Sequence, residues 1–329
     1  MRADRLDGWI PVRLYWEQSS PIVDWCYVGE RRFTDPFFDQ TIERCMRHPF
    51  NVLFRHQTPI DALCQYHEER PGLPPTGFIF HLSRCGSTLI SQMLAALPRN
   101  VVISEAPPVD AVLRAHCRAR DVTDAKRANW LRWMISAIGQ RRSSEQKYLF
   151  IKFDSWSLLS MRNIRQAFPD VPWVFAYRDP VEVLVSQITR RGGHMVPGVL
   201  EPELLGMDYQ SILQMQPTEY CARVLAQVCA AALGHRDSGE AMFINYRQLP
   251  DVVWSLLLDF FHLDYTTADI DRMRHASQFD AKNPSLEFID DAASKNRAAS
   301  PEVRQMASKW VMPLYERLEA TRLSQGGAG

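Results

Sequence analysis

The pattern of apolar and polar positions changes along the chain, and from residue 77 onward short apolar runs alternate with segments of helical spacing. An apolar run of this kind, bounded by turn residues, is typical of a strand buried in a sheet. Strands that alternate with helices predict a mostly parallel sheet with helices on both faces, so the expected fold class is α/β, a three-layer sandwich. The runs that predict strands are GFIFHL (77–82), VVIS (101–104), YLFIKF (148–153), WVFAYR (173–178) and AMFINY (241–246).

Two further segments carry clear helix signals. After the first predicted strand, apolar residues recur at helical spacing as far as Pro98, which ends the helix because proline lacks a backbone N–H. Residues 123–140 form an amphipathic pattern in which Thr123 stands at the position of an N-cap. The apolar positions of the first helix are Leu89, Ile90, Met93, Leu94 and Leu97.

The first 70 residues do not show this regular alternation of strands and helices. The runs WIPVRLYW and WCYVG resemble strands, and a helix is expected near residues 35–48. The segment RPGLPPTG (70–77) is dense in proline and glycine, which is typical of a boundary. We therefore predict an N-terminal extension at 1–75, covering an edge of the sheet or part of a binding pocket, and a main domain at 76–329.

Composition and charge narrow the function classes. Of the 329 residues 46% are hydrophobic and 23% charged, as in an ordinary globular protein with a sizeable core. Lys and Arg together number 38, as do Asp and Glu, so neither a nucleic-acid coat nor a polybasic membrane anchor is expected. The N-terminus is charged where a signal peptide needs an apolar run, and the stretch VVWSLLLDFFHL is too short to span a bilayer.

The spacing of the cysteines and histidines bears on the cellular compartment and on metal binding. The seven cysteines include no CxxC pair, which predicts reduced thiols in a cytoplasmic protein. The nine histidines show no metal-binding spacing such as HExxH. We therefore expect a cytoplasmic protein without a metal site.

The loop HLSRCGST follows the first predicted strand and precedes a helix. Such a turn exposes the free N–H groups and the positive dipole end of the helix, and Arg84, Ser87 and Thr88 add a cation and two hydroxyls, so the loop predicts an anion site. The Walker A pattern is not met, because Ser87 stands in the place of its lysine. A phosphatase-type Cys-x5-Arg loop also fails, since Ser91 is the sixth residue after Cys85. The alternative is a strand–turn–helix junction whose small residues serve close packing.

A second strand–helix junction, YRDPVEVLVS, also contains side chains that can bind a phosphate. Arg178 ends a predicted strand, Pro180 suits the first turn of a helix, and Ser186 lies eight residues after the arginine. A guanidinium can bind a phosphate in a bidentate fashion and a serine hydroxyl can add a hydrogen bond. The alternative is a surface arginine followed by an ordinary helix serine.

Together these two segments resemble the sulfotransferases that use 3′-phosphoadenosine 5′-phosphosulfate (PAPS). LSRCGSTL is similar to the family's 5′-phosphosulfate loop, P-[KR]-S-G-T-T, with Ser83 in place of proline and Cys85 in place of serine. YRDPVEVLVS is similar to the family's 3′-phosphate motif, an arginine followed by serine at the eighth place. The resemblance implies the P-loop NTPase-like sulfotransferase fold and PAPS as co-substrate without a metal. It also implies donor binding by Arg84, Cys85, Gly86, Ser87, Thr88, Arg178 and Ser186.

The resemblance is closer to the tyrosylprotein and bacterial branch of that family, because of two spacings. Glu105 follows Arg84 by 21 residues, where that branch has its catalytic glutamate, and Lys152 precedes Arg178 by 26 residues, where it has its catalytic lysine. The resemblance implies that Glu105 is the general base and that Lys152 and Arg84 hold the bridging oxygen and the sulfuryl group. Asp154 is the rival base, and its alternative interpretation is an N-cap of the following helix.

Three later segments complete the predicted site. Tyr246 resembles the family's tyrosine near the adenosine, with a surface tyrosine as the alternative, although Arg247 replaces the usual acid after it. Lys295 and Arg297 resemble the late basic loop that closes over the 3′-phosphate, with a solvated charge cluster as the alternative. The Gly- and Pro-rich segment 191–216 is expected to border the active site as a lid or an acceptor-binding surface.

The resemblance thus implies that the protein transfers a sulfuryl group from PAPS to a hydroxyl or amine. The acceptor stays open among sugars, lipids, peptides, amines and natural-product hydroxyls, and so does the oligomeric state. The rival enzyme is a P-loop small-molecule or nucleotide kinase, which magnesium dependence would reveal. The non-enzyme rival is a nucleotide-binding scaffold, which would bind 3′-phosphoadenosine 5′-phosphate (PAP) without turnover.

Overall fold

A computed structural model describes residues 6–287 and 292–326. Its centre is a five-stranded parallel sheet with the spatial order β5-β6-β4-β7-β8. The central strand β4 is apolar and buried on both faces, as expected for a parallel sheet covered by helices. The strands of this sheet are β4 (Pro75–His81), β5 (Asn100–Ser104), β6 (Tyr148–Lys152), β7 (Trp173–Tyr177) and β8 (Ala241–Asn245).

Two smaller antiparallel sheets flank the central one. The N-terminal sheet has the order β1-β2-β3, and a late hairpin pairs β9 with β10. Their strands are β1 (Trp9–Glu17), β2 (Ser20–Tyr27), β3 (His56–Pro59), β9 (Phe279–Asp280) and β10 (Asn283–Glu287).

Helices connect the strands and cover both faces of the central sheet. The α-helices are α1 (Phe38–Met46), α2 (Pro49–Leu53), α3 (Ala62–Glu69), α4 (Ser87–Ala95), α5 (Pro107–Leu113), α6 (Ala115–Arg118), α7 (Asp124–Ile138), α8 (Met161–Ala167), α9 (Pro180–Thr189), α10 (Tyr209–Gln214), α11 (Pro217–Gly234), α12 (Leu258–Phe260), α13 (Thr267–Ser277), α14 (Ala292–Ala298), α15 (Pro301–Met306) and α16 (Met312–Gly326). Short 3₁₀ helices cover Ser155–Ser160, Gly193–Met195 and Tyr246–Gln248, and π-helical turns cover Val253–Leu257 and Ala307–Val311.

The alternation of side chains along each strand divides the core into two layers. Phe78 and Phe80 of β4 face a cluster that includes α5, α7, α8, α9, α11 and α16. Ile79, between them, faces the other cluster, which contains α4, α13 and the segment around Val253. The prediction of an α/β three-layer sandwich is confirmed.

Individual elements also agree with the sequence patterns. All five predicted strands of the main sheet form, with bounds shifted by no more than two residues. The helix predicted after the first strand is α4 and ends at Ala95, before Pro98. Thr123 caps α7, since its side chain accepts a hydrogen bond from the Lys126 N–H at 3.3 Å. These local signals therefore agree with the tertiary structure.

The N-terminal sheet packs on the same core as the central sheet. Trp9 and Ile10 of β1 belong to the cluster that contains Leu131 of α7. The connecting segment is also attached, because the Leu73 N–H donates to the Gly139 carbonyl at 3.0 Å. The division into 1–75 and 76–329 stays a prediction. Among the described helices, none has the length and apolar character to cross a membrane.

Candidate active site

The carboxyl ends of the parallel strands open onto one cavity of about 460 Å³. Ligands of open α/β sheets bind at this edge, outside the carboxyl ends of the strands. Nearly all of the predicted site residues line the cavity, namely Arg84, Cys85, Gly86, Ser87, Thr88, Glu105, Arg178, Ser186, Tyr246 and Lys295. Lys152 does not line it, because its side chain is fully buried behind Glu105.

The loop between β4 and α4 is a tight left-handed turn. Arg84 has φ +64° and Gly86 has φ +84°, and α4 begins immediately afterwards at Ser87. A Cβ on Gly86 would lie 2.5 Å from Leu249 and 2.9 Å from the Tyr246 ring, so glycine is required here by conformation and by space. The turn thus places the N-terminus of α4, with its positive dipole end, at the cavity wall.

Arg84 itself is held by the far side of the cavity. Its guanidinium donates to the Arg190 carbonyl, just after α9, at 2.8 Å. Burial, together with the neighbouring Arg190, lowers its pKa from the ordinary value. The guanidinium is therefore fixed against the C-terminal end of α9, the helix that follows Arg178.

Cys85 contributes its backbone to the turn, while its side chain points into the core. The thiol is fully buried and donates to the Ala176 carbonyl at 3.0 Å. Burial raises its pKa to about 11, the opposite of what a reactive thiolate needs. Cys85 is therefore a packing residue of the loop, and a ligand would meet its main chain.

The second junction is built around a buried ion pair. Arg178 donates from Nε to Glu182 at 2.5 Å, and both side chains are buried. The Arg178 guanidinium also lies 3.9 Å from the centroid of the Tyr246 ring, a cation–π distance. The other oxygen of Glu182 accepts from Asn296 at 3.0 Å, which ties α14 to α9 and brings Lys295 to the cavity.

Glu105 is the centre of a buried network at the end of β5. It has a left-handed backbone, φ +53°, and its N–H donates to the Lys152 carbonyl at 2.7 Å. Its carboxylate accepts a hydrogen bond from the Lys152 ammonium and lies 3.4 Å from Nε2 of His81. Burial alone would raise the pKa of Glu105, but Lys152 and His81 outweigh it and hold that pKa well below its usual range.

His81, the last residue of β4, fixes the geometry of this network. Its Nε2 lies 3.1 Å from the Phe153 carbonyl as well as near Glu105, and since both partners are acceptors, Nε2 carries the proton. Burial lowers its pKa, so the ring is neutral. Its Nδ1 is buried without a hydrogen-bond partner among the described residues. His81 is the first residue of the segment HLSRCGST, but nothing in the sequence places it next to Glu105.

Asp154, the rival base, lies at the start of the helix that follows β6. It occupies the N-cap position of the 3₁₀ helix Ser155–Ser160, with an extended backbone, but its side chain makes no capping hydrogen bond there. Burial, and then the carboxylates of Glu105 and Asp110, raise its pKa well above the usual range. The two acids at the ends of β5 and β6 thus have pKa values shifted in opposite directions.

Several other residues reach the cavity from distant parts of the chain. Phe37 comes from the N-terminal segment, Lys282 from the β9–β10 hairpin and His194 from the segment 191–216, which borders the site as predicted. His194 packs on Trp156 with a centroid distance of 5.1 Å, and burial lowers its pKa to about 4. No local sequence pattern identifies these residues. Glu182 is different, because it lies in the first turn of α9, four residues after Arg178.

Comparison with known proteins gives a structural likeness only. No family model and no curated protein matches the chain. A sulfotransferase domain from the curacin biosynthetic pathway is 17% identical, with a TM-score of 0.40, and the match covers 72% of this chain and 98% of that one. A sulfotransferase from Alicyclobacillus acidocaldarius is 16% identical, with a TM-score of 0.42 and coverages of 76% and 96%.

Retinol dehydratase in a complex with retinol and PAP is also similar. It is 13% identical, with a TM-score of 0.37, and the match covers 79% of this chain and 87% of that one. At these identities and TM-scores the likeness carries no argument about activity. The functional proposal therefore rests on the geometry of the cavity.

Proposed function

We propose that this protein transfers a sulfuryl group from PAPS to a hydroxyl or amine acceptor. The observation that carries the proposal is one cavity lined by two anion-binding junctions, the turn Arg84–Thr88 before α4 and the Arg178–Ser186 segment at the start of α9. PAPS carries two anionic groups on one ribose, a phosphosulfate at the 5′ position and a phosphate at the 3′ position. Arg84 at one junction and Arg178 at the other offer a guanidinium to each of the two anionic groups.

The turn before α4 is assigned to the phosphosulfate end. The N-terminus of α4 and the hydroxyls of Ser87 and Thr88 offer donors to it, and Arg84 adds a cation. Arg178, Ser186 and Lys295 are assigned to the 3′-phosphate. The Tyr246 ring, packed against the Arg178 guanidinium, is assigned to the adenosine.

Glu105 is assigned as the general base. The acceptor oxygen or nitrogen forms a bond to sulfur while the bond from sulfur to the 5′-phosphate oxygen breaks, the acceptor proton passes to Glu105, and PAP leaves. In the unliganded protein Glu105 is a weak base, because it is paired with the Lys152 ammonium. If Lys152 turns toward the leaving phosphate oxygen, Glu105 loses its cation and becomes more basic.

The missing Walker lysine supports a phosphosulfate ligand over a magnesium–triphosphate. Ser87 occupies the place where a P-loop kinase needs the lysine that contacts the β- and γ-phosphates. A phosphosulfate carries less charge at its terminal group than a γ-phosphate does. A loop that offers one arginine and a helix N-terminus, without the Walker lysine, suits that lower charge better than it suits a γ-phosphate.

Calorimetric titration with PAP tests the proposed donor site. We expect PAP to bind the wild-type protein, and Arg178→Ala to weaken binding at least tenfold, or about 1.4 kcal/mol. Arg236→Ala is the matched control, because Arg236 is an exposed arginine outside the cavity. Absence of PAP binding, or equal affinity of the Arg178→Ala variant, would overturn the assignment.

A further inference from the structure

The β9–β10 hairpin holds one lysine over the cavity. The turn between its strands is fixed by Asp280, whose carboxylate accepts from the N–H groups of Lys282 at 2.9 Å and Asn283 at 2.8 Å. Phe279, Asp280, Ala281 and Lys282 all line the cavity. The direction of the Lys282 side chain thus follows from a turn built by its own neighbours.

The ammonium groups of Lys282 and of the buried Lys152 both lie near the aromatic ring of Phe37. It lies 5.8 Å from the centroid of Phe37, and the Lys152 ammonium lies 5.1 Å from the same centroid. Lys282 and Glu105 both line the cavity, and the ring that Lys282 contacts also contacts Lys152, which lies buried against Glu105.

The charges around Lys282 are mostly of its own sign. Arg84, Lys152 and Arg190 repel its ammonium and Glu105 attracts it, while the neighbouring His81 is neutral. Within residues 6–287 and 292–326 no carboxylate lies at ion-pair distance from it. Burial, and then Arg84 and Lys152, lower the pKa of Lys282 to about 8.

Such clustering costs free energy in the unliganded protein, because like charges at short range repel one another. A bound anion among Arg84, Lys152 and Lys282 would turn that cost into a favourable interaction. Two of these cations show where such an anion would lie. Arg84 belongs to the phosphosulfate loop and Lys152 to the Glu105 network, and neither belongs to the Arg178 junction.

We propose that Lys282 binds the sulfuryl oxygens of the donor and stabilises the negative charge on the group in transfer. This assignment rests on the proposed function. Lys282 faces the sulfuryl group from the β9–β10 hairpin, and the turn before α4 faces it from the end of β4. The hairpin thereby covers the reacting end of the cavity, and the Lys282 ammonium supplies a cation that the phosphosulfate loop lacks.

The test compares two ligands that differ only in the sulfuryl group. Calorimetric titrations of Lys282→Met with PAPS and with PAP separate contacts to that group from contacts to the rest of the nucleotide. We expect the variant to bind PAPS at least tenfold more weakly than wild type and to bind PAP within threefold of wild type. Equal weakening for both ligands, or no weakening for either, would overturn the proposal.

Two further variants keep the outcome interpretable. Lys282→Arg retains the charge and is expected to retain most of the PAPS affinity, whereas Lys147→Met removes an exposed lysine at the opposite edge of the sheet and is expected to change nothing. Arg178→Ala reports on the proposed function itself. If Arg178→Ala weakens PAP binding while Lys282→Met leaves PAPS binding intact, the donor site stands and only the role of Lys282 fails.

Discussion

At the scale of single residues, the site combines backbone strain with buried charge. Arg84 and Glu105 both adopt left-handed backbone conformations that are unusual for residues with a side chain, at a cost on the order of 1–3 kcal/mol each. Each follows the carboxyl end of a strand, β4 or β5, and lines the cavity. The surrounding hydrogen bonds to Arg190, Lys152 and His81 hold them there.

Glu105→Gln tests the identity of the base. The amide keeps the size of the side chain but cannot take up a proton, so we expect sulfuryl transfer to fall by roughly 100-fold or more while PAP affinity stays within threefold of wild type. The measurement is the steady-state rate with an acceptor that the wild type turns over. Because the change leaves Lys152 buried without its counter-ion, thermal unfolding must show that the variant still folds.

Asp154→Asn is the companion variant, since Asp154 is the rival base. If Glu105 is the base, Asp154→Asn keeps most of the activity. A loss of turnover in Asp154→Asn, with turnover kept in Glu105→Gln, would transfer the role to Asp154. Burial raises the pKa of Asp154, so this carboxylate, when ionised, is more basic than an exposed one.

The buried His194 is expected to make the stability of the protein depend on pH. Its folded-state pKa of about 4 lies below the value of about 6.5 for an unfolded histidine, so the unfolded chain binds an extra proton between these pH values. Stability therefore falls as pH drops from 6.5 to 4, by up to roughly 3 kcal/mol from this residue. Urea unfolding across that range should show a shallower loss for His194→Gln; an unchanged slope would contradict the assignment.

At the scale of elements, the turn before α4 joins the two ends of the donor site. Gly86 lies against Leu249 and Tyr246, and Tyr246 in turn lies against the Arg178 guanidinium. The geometry of the first junction is thus mechanically linked to that of the second. A side chain at position 86 would disturb both.

Gly86→Ala is expected to weaken PAP binding as well as folding. The new Cβ would clash with the Tyr246 ring in a backbone conformation that alanine disfavours, so we expect a loss of at least about 1 kcal/mol in unfolding free energy and a tenfold weaker PAP affinity. Gly234→Ala is the matched control, because nothing lies within 4 Å of a Cβ there and Gly234 ends a helix. Equal behaviour of the two variants would contradict the linkage.

The sequence predicted these elements because their signals are local. Each strand of the main sheet is a short apolar run, and the residues that follow it are polar. Burial of Lys152 was not predictable, since a lysine at the end of a strand can equally extend to solvent. Phe37 and Lys282 were also missed, because each enters the cavity through the packing of a distant segment on the sheet.

At the scale of the whole molecule, the site is assembled from most of the chain. The N-terminal segment supplies Phe37, the central sheet supplies the two junctions and Glu105, and the C-terminal part supplies Lys282 and Lys295. The N-terminal sheet packs on the same core as α7. The cavity therefore depends on the intact chain, and its binding properties are best measured on the full-length protein.

The most direct test of the central claim is whether the cavity recognises a 3′-phosphate. Calorimetric titration of the wild-type protein with PAP, with AMP, and with ATP plus magnesium compares ligands that share the adenosine but differ in their phosphates. We expect PAP to bind at least tenfold more tightly than AMP and more tightly than magnesium–ATP, because Arg178 and Ser186 are assigned to the 3′-phosphate. Equal affinity for PAP and AMP, or a preference for magnesium–ATP, would contradict it.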